Sequence, residues 1–207
     1  MIGVYDYTVV LTYISLASSV LGMILTLEGY SVYALLFLAF SGLCDMFDGK
    51  IARTKKNRSA YQEKFGIQID SLCDVVCFGA FPIVLSYKLG MNNPVGIVIL
   101  VFFGIASVTR LAHFNVKAEI HQEENDENIK YYEGLPITSI AIALPVIYIF
   151  KPLLADNFYI LVHFTVLLVG ILFITKFKLN KPNNLVLTIL VAIVALALAN
   201  TFIFHFI

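Results

Sequence analysis

Tryptophan is absent from this 207-residue chain, and only 14% of its residues are charged. The fourteen Lys and Arg balance the fourteen Asp and Glu, so the formal net charge is zero and no global attraction to nucleic acid is implied. There are just three cysteines, Cys44, Cys73 and Cys77, all inside apolar stretches. Three residues cannot complete a disulfide framework, and a thiolate metal site is usually built from Cys-x-x-Cys pairs in an aqueous loop; the cysteines read as small core fillers. The four histidines show no i, i+4 pairing, and no metal is assigned to them. Low-complexity tracts and fixed-period repeats are missing too. No basic n-region precedes the first apolar segment, which speaks against a signal peptide.

What fills the chain instead is apolar surface. Hydrophobic residues make up 59% of it, with a mean hydropathy of +0.86, outside the range of a soluble domain. A spanning helix needs roughly 20 mostly apolar residues. Seven windows meet that need, at approximately 6–27, 31–53, 65–88, 95–117, 135–153, 157–176 and 184–206. The fifth contains Pro136 and Pro145, so six or eight spans are the alternatives. The expected fold is all-α, a polytopic transmembrane helical bundle of about seven spans, forming a single membrane domain over 1–207.

Basic residues set the expected orientation, because short cytoplasmic loops carry the excess of Lys and Arg. Lys50, Arg53, Lys55, Lys56, Arg58 and Lys64 surround the second connection, Lys117 and Lys130 the fourth, and Lys176, Lys178 and Lys181 the sixth; the opposite face has Lys88 and Lys151. The N-terminus is therefore expected in the cytoplasm and, with seven spans, the C-terminus outside. Residues 119–133 carry Glu119, Glu123, Glu124, Asp126, Glu127 and Glu133, and read as a solvated loop or short surface helix.

Four aspartates lie inside apolar windows: Asp45 and Asp48 in the second, Asp70 and Asp74 in the third. An ionised carboxylate at membrane depth costs at least a few kcal/mol, so it normally faces the bundle interior and has a partner. Asp45, Asp48, Gly49 and Ala52 follow the i, i+3, i+4, i+7 series of one helix face, and Gly66, Asp70 and Asp74 recur every four residues along another. Asp45 lies eight residues before Arg53 and Asp74 eight after Gly66, about 12 Å from either helix end at 1.5 Å per residue. Antiparallel packing would place all four in one slab beneath the cytoplasmic surface. Such carboxylates repel one another in a low dielectric, so either some are protonated or cations sit between them. Oxygen-only ligands suit a hard ion, Mg²⁺, Mn²⁺ or Ca²⁺, and Mg²⁺ in particular favours a few carboxylates plus phosphate oxygens. Gly49, Ala52 and Gly66 on the same faces allow a ligand to approach the helices closely.

Read in order, residues 45–74 spell Asp-x-x-Asp-Gly-x-x-Ala-Arg, then Gly-x-x-x-Asp-x-x-x-Asp. This resembles the signature of the CDP-alcohol phosphotransferases, in which eight residues usually separate the arginine from the glycine; here Thr54 to Phe65 make twelve, and the extra residues are expected in the loop. The run Phe65 to Asp74, continuing to Phe78, Gly79 and Pro82, is similar to the phosphatidylserine synthase branch. So are Arg110-Leu111-Ala112-His113-Phe114-Asn115, with histidine in place of that branch's second arginine, and Gly134-Leu135-Pro136. The resemblance covers about residues 8–140, an expected catalytic core, and leaves 141–207 as additional helices. Thr12 matches a threonine that relatives place beside the nucleotide, whereas Ser15 stands where asparagine is common.

The resemblance implies attack by the hydroxyl of L-serine on the β-phosphorus of a CDP-linked lipid, diacyl or ether-linked, with release of CMP. It implies Asp45, Asp48, Asp70 and Asp74 as ligands of two divalent ions, Asp74 as general base, and a homodimer in the cell membrane with its active site facing the cytoplasm. Thr12, Gly49, Ala52, Arg53, Gly66 and Arg110 are the implied substrate-binding residues. Arg110 also has a physical case, because a lone arginine in an apolar helix needs an anionic partner. The nearest alternatives are the same chemistry with glycerol phosphate or inositol phosphate as acceptor, and a cation or proton transporter. A transporter would echo the acidic pair in its second half, where residues 135–207 contain only Asp156.

Overall fold

The computed structural model describes residues 3–52, 54–55, 57–124, 131–180 and 184–206. Helix α1, Tyr7–Leu27, starts where the Asp6 side chain accepts the backbone N–H of Thr8 (2.9 Å). Helix α2, Ser31–Ala52, returns antiparallel through a tight turn in which Gly29 takes a positive φ of 91°. The buried stripe of α1 is small and polar: Thr8, Thr12, Ser15, Ser19, Gly22 and Thr26 recur at three- and four-residue spacing. Without a hydrophobic drive between helices in lipid, close approach of small residues and interhelical hydrogen bonds hold such a pair. The Ser15 and Ser41 hydroxyls meet at 2.6 Å, and Ser19 Oγ donates to Ser41 Oγ at 2.9 Å.

The third span consists of α3 (Ala60–Asp74), a π-helical turn (Val75–Ala80) and α4 (Phe81–Lys88). Helix α3 begins five residues before the expected window. Ser59 and Gln62 form a capping box, the Ser59 Oγ accepting the Gln62 N–H (3.2 Å) and the Gln62 Oε1 accepting the Ser59 N–H (3.0 Å). Of the twelve residues between Arg53 and Gly66, 54–59 precede the helix and Ala60 to Phe65 extend it above Gly66. Polar Gln62, Glu63 and Lys64 hid this start from a search for apolar windows.

Helix α5, Pro94–Glu124, is followed by strand β1 (Tyr131–Glu133), which pairs antiparallel with β2 (Lys178–Asn180). This short ribbon was not expected, because three-residue strands carry no periodicity of their own. Helix α6, Ile140–Tyr148, contains Pro145 and follows a 3₁₀ turn at Ile137–Ser139. Helix α7 (Lys151–Leu154) and a second 3₁₀ turn lead into α8 (Phe158–Ile174), and α9 (Asn184–Phe206) closes the described chain. Among the described residues, five helical segments are long and apolar enough to cross a membrane: Tyr7–Leu27, Ser31–Ala52, Ala60–Lys88, Pro94–Lys117 and Lys151–Ile174. Shorter apolar helices, Ile137–Tyr148 and Leu187–Thr201, lie in the two remaining windows. The chain is a multi-pass membrane protein.

Leu35, Leu38, Phe78, Phe81, Phe103 and Ile140 are among the fully buried side chains that join α2, α4, α5, α6 and α8 in one core. Leu21, Val98, Ile105, Phe164 and Leu196 are exposed, as lipid-facing residues should be. The three cysteines are free and buried, in keeping with their reading as filler.

Candidate functional site

The four aspartates converge. Asp45, Asp70 and Asp74 each offer a carboxylate oxygen within 4.8 Å of the others. Asp48, itself 7% exposed, lies against Asp70, while Asp45 lies against Asp74. The helical periods explain the arrangement: a three-residue step turns Asp45 and Asp48 to one side of α2, and a four-residue step does the same for Asp70 and Asp74 on α3. The two faces then meet where α2 and α3 leave their short connection.

Several contacts hold this geometry. Thr12 Oγ1 on α1 donates to Asp48 Oδ2 at 3.2 Å, in a buried setting. Ser71 Oγ on α3 donates to Asn115 Oδ1 on α5 at 2.8 Å. Directly after Asp74 the backbone changes to i→i+5 bonding, with the Phe81 N–H reaching the Val76 carbonyl. A π turn inside a membrane helix often marks a functional position; here it lies just beneath the deepest carboxylate of α3.

The donor set fits a divalent cation. All four groups are carboxylates, and Asp70 Oδ1 is buried with no hydrogen-bond partner. A buried, unsatisfied anionic oxygen is costly unless a positive charge meets it. A Cβ placed on Gly49 would meet nothing within 4 Å, so open space adjoins the backbone next to Asp48.

The other sequence-derived residues are placed as follows. Gly66 lies one turn before Asp70, and the guanidinium of Arg58 covers it: a Cβ at Gly66 would be 2.6 Å from Arg58 Nη2. Ala52 ends α2, half-buried. Arg110, only 6% exposed, donates Nε to the Leu135 carbonyl at 3.0 Å and lies over the Phe114 ring, 5.6 Å from its centroid. It thereby ties α5 to the Gly134-Leu135-Pro136 turn. Arg53 lies outside the described residues.

Two polar features were not anticipated. One is Arg58 over Gly66. The other is an ion pair outside the spans, in which Lys55 Nζ donates to Asp6 Oδ2 at 2.6 Å. Asp6 also accepts the Thr8 hydroxyl, and Lys55 holds its carboxyl down at about 2. The pair fastens the α2–α3 connection to the start of α1. Nothing in residue spacing pairs positions 6 and 55; only the packing of α1 against α2 and α3 does. At the other end of the bundle an open cleft of about 550 Å³ is lined by Ser31, Lys88, Asn93, Lys151 and Asp156, with none of the four aspartates.

Comparison with known proteins bears on this site. The chain is 37% identical over 125 residues to the CDP-diacylglycerol–serine O-phosphatidyltransferase of Saccharomyces cerevisiae, covering 58% of this chain and 44% of that protein. It is 34% identical over 113 residues to the protein of the same name from Helicobacter pylori strain J99, covering 54% and 44%. With the protein of that name from Methanocaldococcus jannaschii it shares 27% identity over 187 residues, covering 90% of this chain and 81% of the relative. The chain thus spans less than half the length of the yeast and Helicobacter proteins it matches. A family model described as CDP-alcohol phosphatidyltransferase matches residues 8–204, beyond the stretch that carries the motifs. On that match, and with its signature aspartates gathered at one place, the chain belongs to the CDP-alcohol phosphatidyltransferase family.

Proposed function

We propose that the protein is a phosphatidylserine synthase, which transfers a phosphatidyl-type group from CDP-diacylglycerol, or a CDP-linked ether lipid, to the hydroxyl of L-serine and releases CMP. The observation that carries this reading is the convergence of Asp45, Asp48, Asp70 and Asp74 from two neighbouring spans. The branch-like runs at 65–82 and 110–115, and the names of the relatives, support serine as the acceptor.

In the proposed reaction the serine oxygen forms a bond to the β-phosphorus as the bond from that phosphorus to the CMP oxygen breaks. The serine proton passes to the carboxylate of Asp74, and the electron pair of the broken bond leaves with CMP. Asp74 suits this role because it is the deeper of the two α3 carboxylates and adjoins Asp45. Asp45, Asp48, Asp70 and Asp74 would hold two divalent ions, Mg²⁺ or Mn²⁺, and their oxygen-only ligand set also suits Ca²⁺. Such ions, when bound, neutralise charge on the nonbridging and leaving oxygens of a phosphoryl group. Thr12 orients Asp48 by its hydrogen bond and borders the nucleotide. Gly49 and Ala52 leave room for the nucleotide, Gly66 belongs to the substrate-binding set through the guanidinium that covers it, and Arg53 and Arg110 contact phosphate oxygens.

The basic α2–α3 connection supports a site opening to the cytoplasm, where serine and nucleotide enter while the lipid chains stay in the membrane. The whole chain is proposed as one domain with its catalytic core over about 8–140, assembled as a homodimer by resemblance to its family. The test is CMP release by purified protein from CDP-diacylglycerol and Mg²⁺ or Mn²⁺, with serine, glycerol phosphate or inositol phosphate supplied separately. Release with serine alone, abolished by Asp74→Asn, is expected. Release with a phosphorylated acceptor and not with serine would refute the serine assignment.

A further inference from the structure

Arg58 lies in the connection between α2 and α3, outside the eight motif positions, and has an unusual setting. Its Nη2 donates to the Gln62 carbonyl at 3.3 Å, which folds the side chain back along the first turns of α3. Its guanidinium rests on Gly66, where a Cβ would come within 2.6 Å of Nη2 and push the group from this seat. Its Nε is buried without a hydrogen-bond partner, and it forms no ion pair with any described residue. A buried guanidinium N–H left unpaired is costly, and because the group is cationic an anionic acceptor satisfies it best.

Gly66 is on the stripe that continues through Asp70 to Asp74. One turn along that face is the other unpartnered buried atom of the site, Asp70 Oδ1. The two orphans have opposite demands: a carboxylate oxygen wanting a cation, and a guanidinium N–H wanting an anion. A phosphate group accompanied by a divalent ion satisfies both at once, which a free metal ion cannot do; zwitterionic serine carries both charges and is excluded by its reach.

We propose that Arg58 is a substrate-binding residue that holds the phosphate of the nucleotide half of the CDP-lipid, and afterwards the phosphate of product CMP. The proposal rests on the reading of the aspartate cluster as a CDP-lipid site. Distance selects the nucleotide over serine. Gly66 lies about 6 Å along the helix from Asp70 and about 12 Å from Asp74, at 1.5 Å per residue. Serine, a three-carbon molecule whose hydroxyl must reach Asp74, cannot also present its carboxylate to a group over Gly66. The CMP half extends away from the lipid chains, toward the connection where Arg58 sits. Arg58 and Gly66 then act as a pair: the glycine gives the guanidinium its seat, and the guanidinium meets the phosphate.

The test uses the full-length protein in detergent with Mn²⁺, measuring CMP affinity by calorimetry alongside KM values for CDP-diacylglycerol and serine. Arg58→Ala should weaken CMP binding and raise the CDP-diacylglycerol KM about ten- to a hundredfold, the range of a charge-assisted hydrogen bond. The serine KM should stay within about twofold, and Arg58→Lys, which keeps the charge without the fork, should fall between. Gly66→Ala should weaken CMP binding comparably in the native background and add nothing once Arg58 is Ala, because the two positions act as one unit. Equal CMP affinity in the native protein and Arg58→Ala overturns the proposal, as does a rise in the serine KM alone or full additivity with Gly66→Ala. A native protein that binds no CMP and releases none from CDP-diacylglycerol overturns the CDP-lipid reading itself. Unfolding temperatures without nucleotide, matched across the variants, separate loss of binding from loss of fold.

Discussion

Replacing Asp70 with Asn should move stability and activity in opposite directions. Asp70 has carboxylate neighbours in Asp45, Asp48 and Asp74, and the oxygens of Asp45, Asp70 and Asp74 fall within 4.8 Å of one another. Two unit charges at that distance repel by about 3.5 kcal/mol at an effective dielectric of about 20. Hydration, protein relaxation and protonation of part of the cluster take back much of this, so relief on the order of 1–3 kcal/mol is expected in metal-free protein. Asn keeps the volume and adds an N–H₂ that can donate to a neighbouring carboxylate. In EDTA, Asp70→Asn should therefore unfold at a higher temperature than the native protein, by a few degrees. With Mn²⁺ the order should reverse: the native protein gains stability by mass action on binding, while the variant shows little or no upward shift and no CMP release. Thermal unfolding in detergent micelles, with and without Mn²⁺, reads both effects. A variant less stable than the native protein in EDTA, or one that keeps the full Mn²⁺ shift, would refute the reasoning.

Thr12→Val keeps the shape and removes the hydroxyl that donates to Asp48; Mn²⁺ affinity, measured by titration, should fall about ten- to a hundredfold, as for other groups that orient a metal ligand. Asp6→Asn breaks the pair with Lys55, a part-exposed ion pair and so worth no more than about 1 kcal/mol. Because the Asp6 carboxyl is held below its unfolded value of 3.8, at about 2, its contribution is fully present above pH 4 and lost as pH falls from there toward 2. The native and Asp6→Asn unfolding temperatures should accordingly differ at neutral pH and converge toward pH 2; a gap that widens on acidification would contradict this. Ser59→Ala should cost about 1 kcal/mol by removing half of the capping box on α3, seen as faster amide exchange over Ala60–Lys64 than in native protein.

The bundle and the acidic helix faces were legible because both are periodic. A run of apolar residues long enough to span lipid admits little but helix, and each of the seven windows holds one. The aspartates stood out because charge is expensive there, and their spacing fixed their faces. Features that depend on tertiary packing or on polar local signals were not legible. The Ser59-x-x-Gln62 capping box was present in the sequence, yet the polar turn after it hid the true start of α3. The π turn after Asp74 has no residue signature in Val75–Ala80. Arg58 looked like one of several topology-setting basic residues until Gly66 was seen beneath it, and Lys55 until Asp6 was found beside it. Pro136 and Pro145 warned of irregularity in the fifth window, and a 3₁₀ turn followed by a short Pro-containing helix is the result.

The most direct check on the aspartate centre is a crystal or cryo-EM structure with Mn²⁺ and a soluble CDP-alcohol, using anomalous scattering to find the metal. Manganese bridging the diphosphate and carboxylates from both α2 and α3, with oxygens at about 2.0–2.6 Å, is the predicted result. Manganese bound elsewhere, or a diphosphate seated in the lysine-lined cleft at the other end of the bundle, would contradict it.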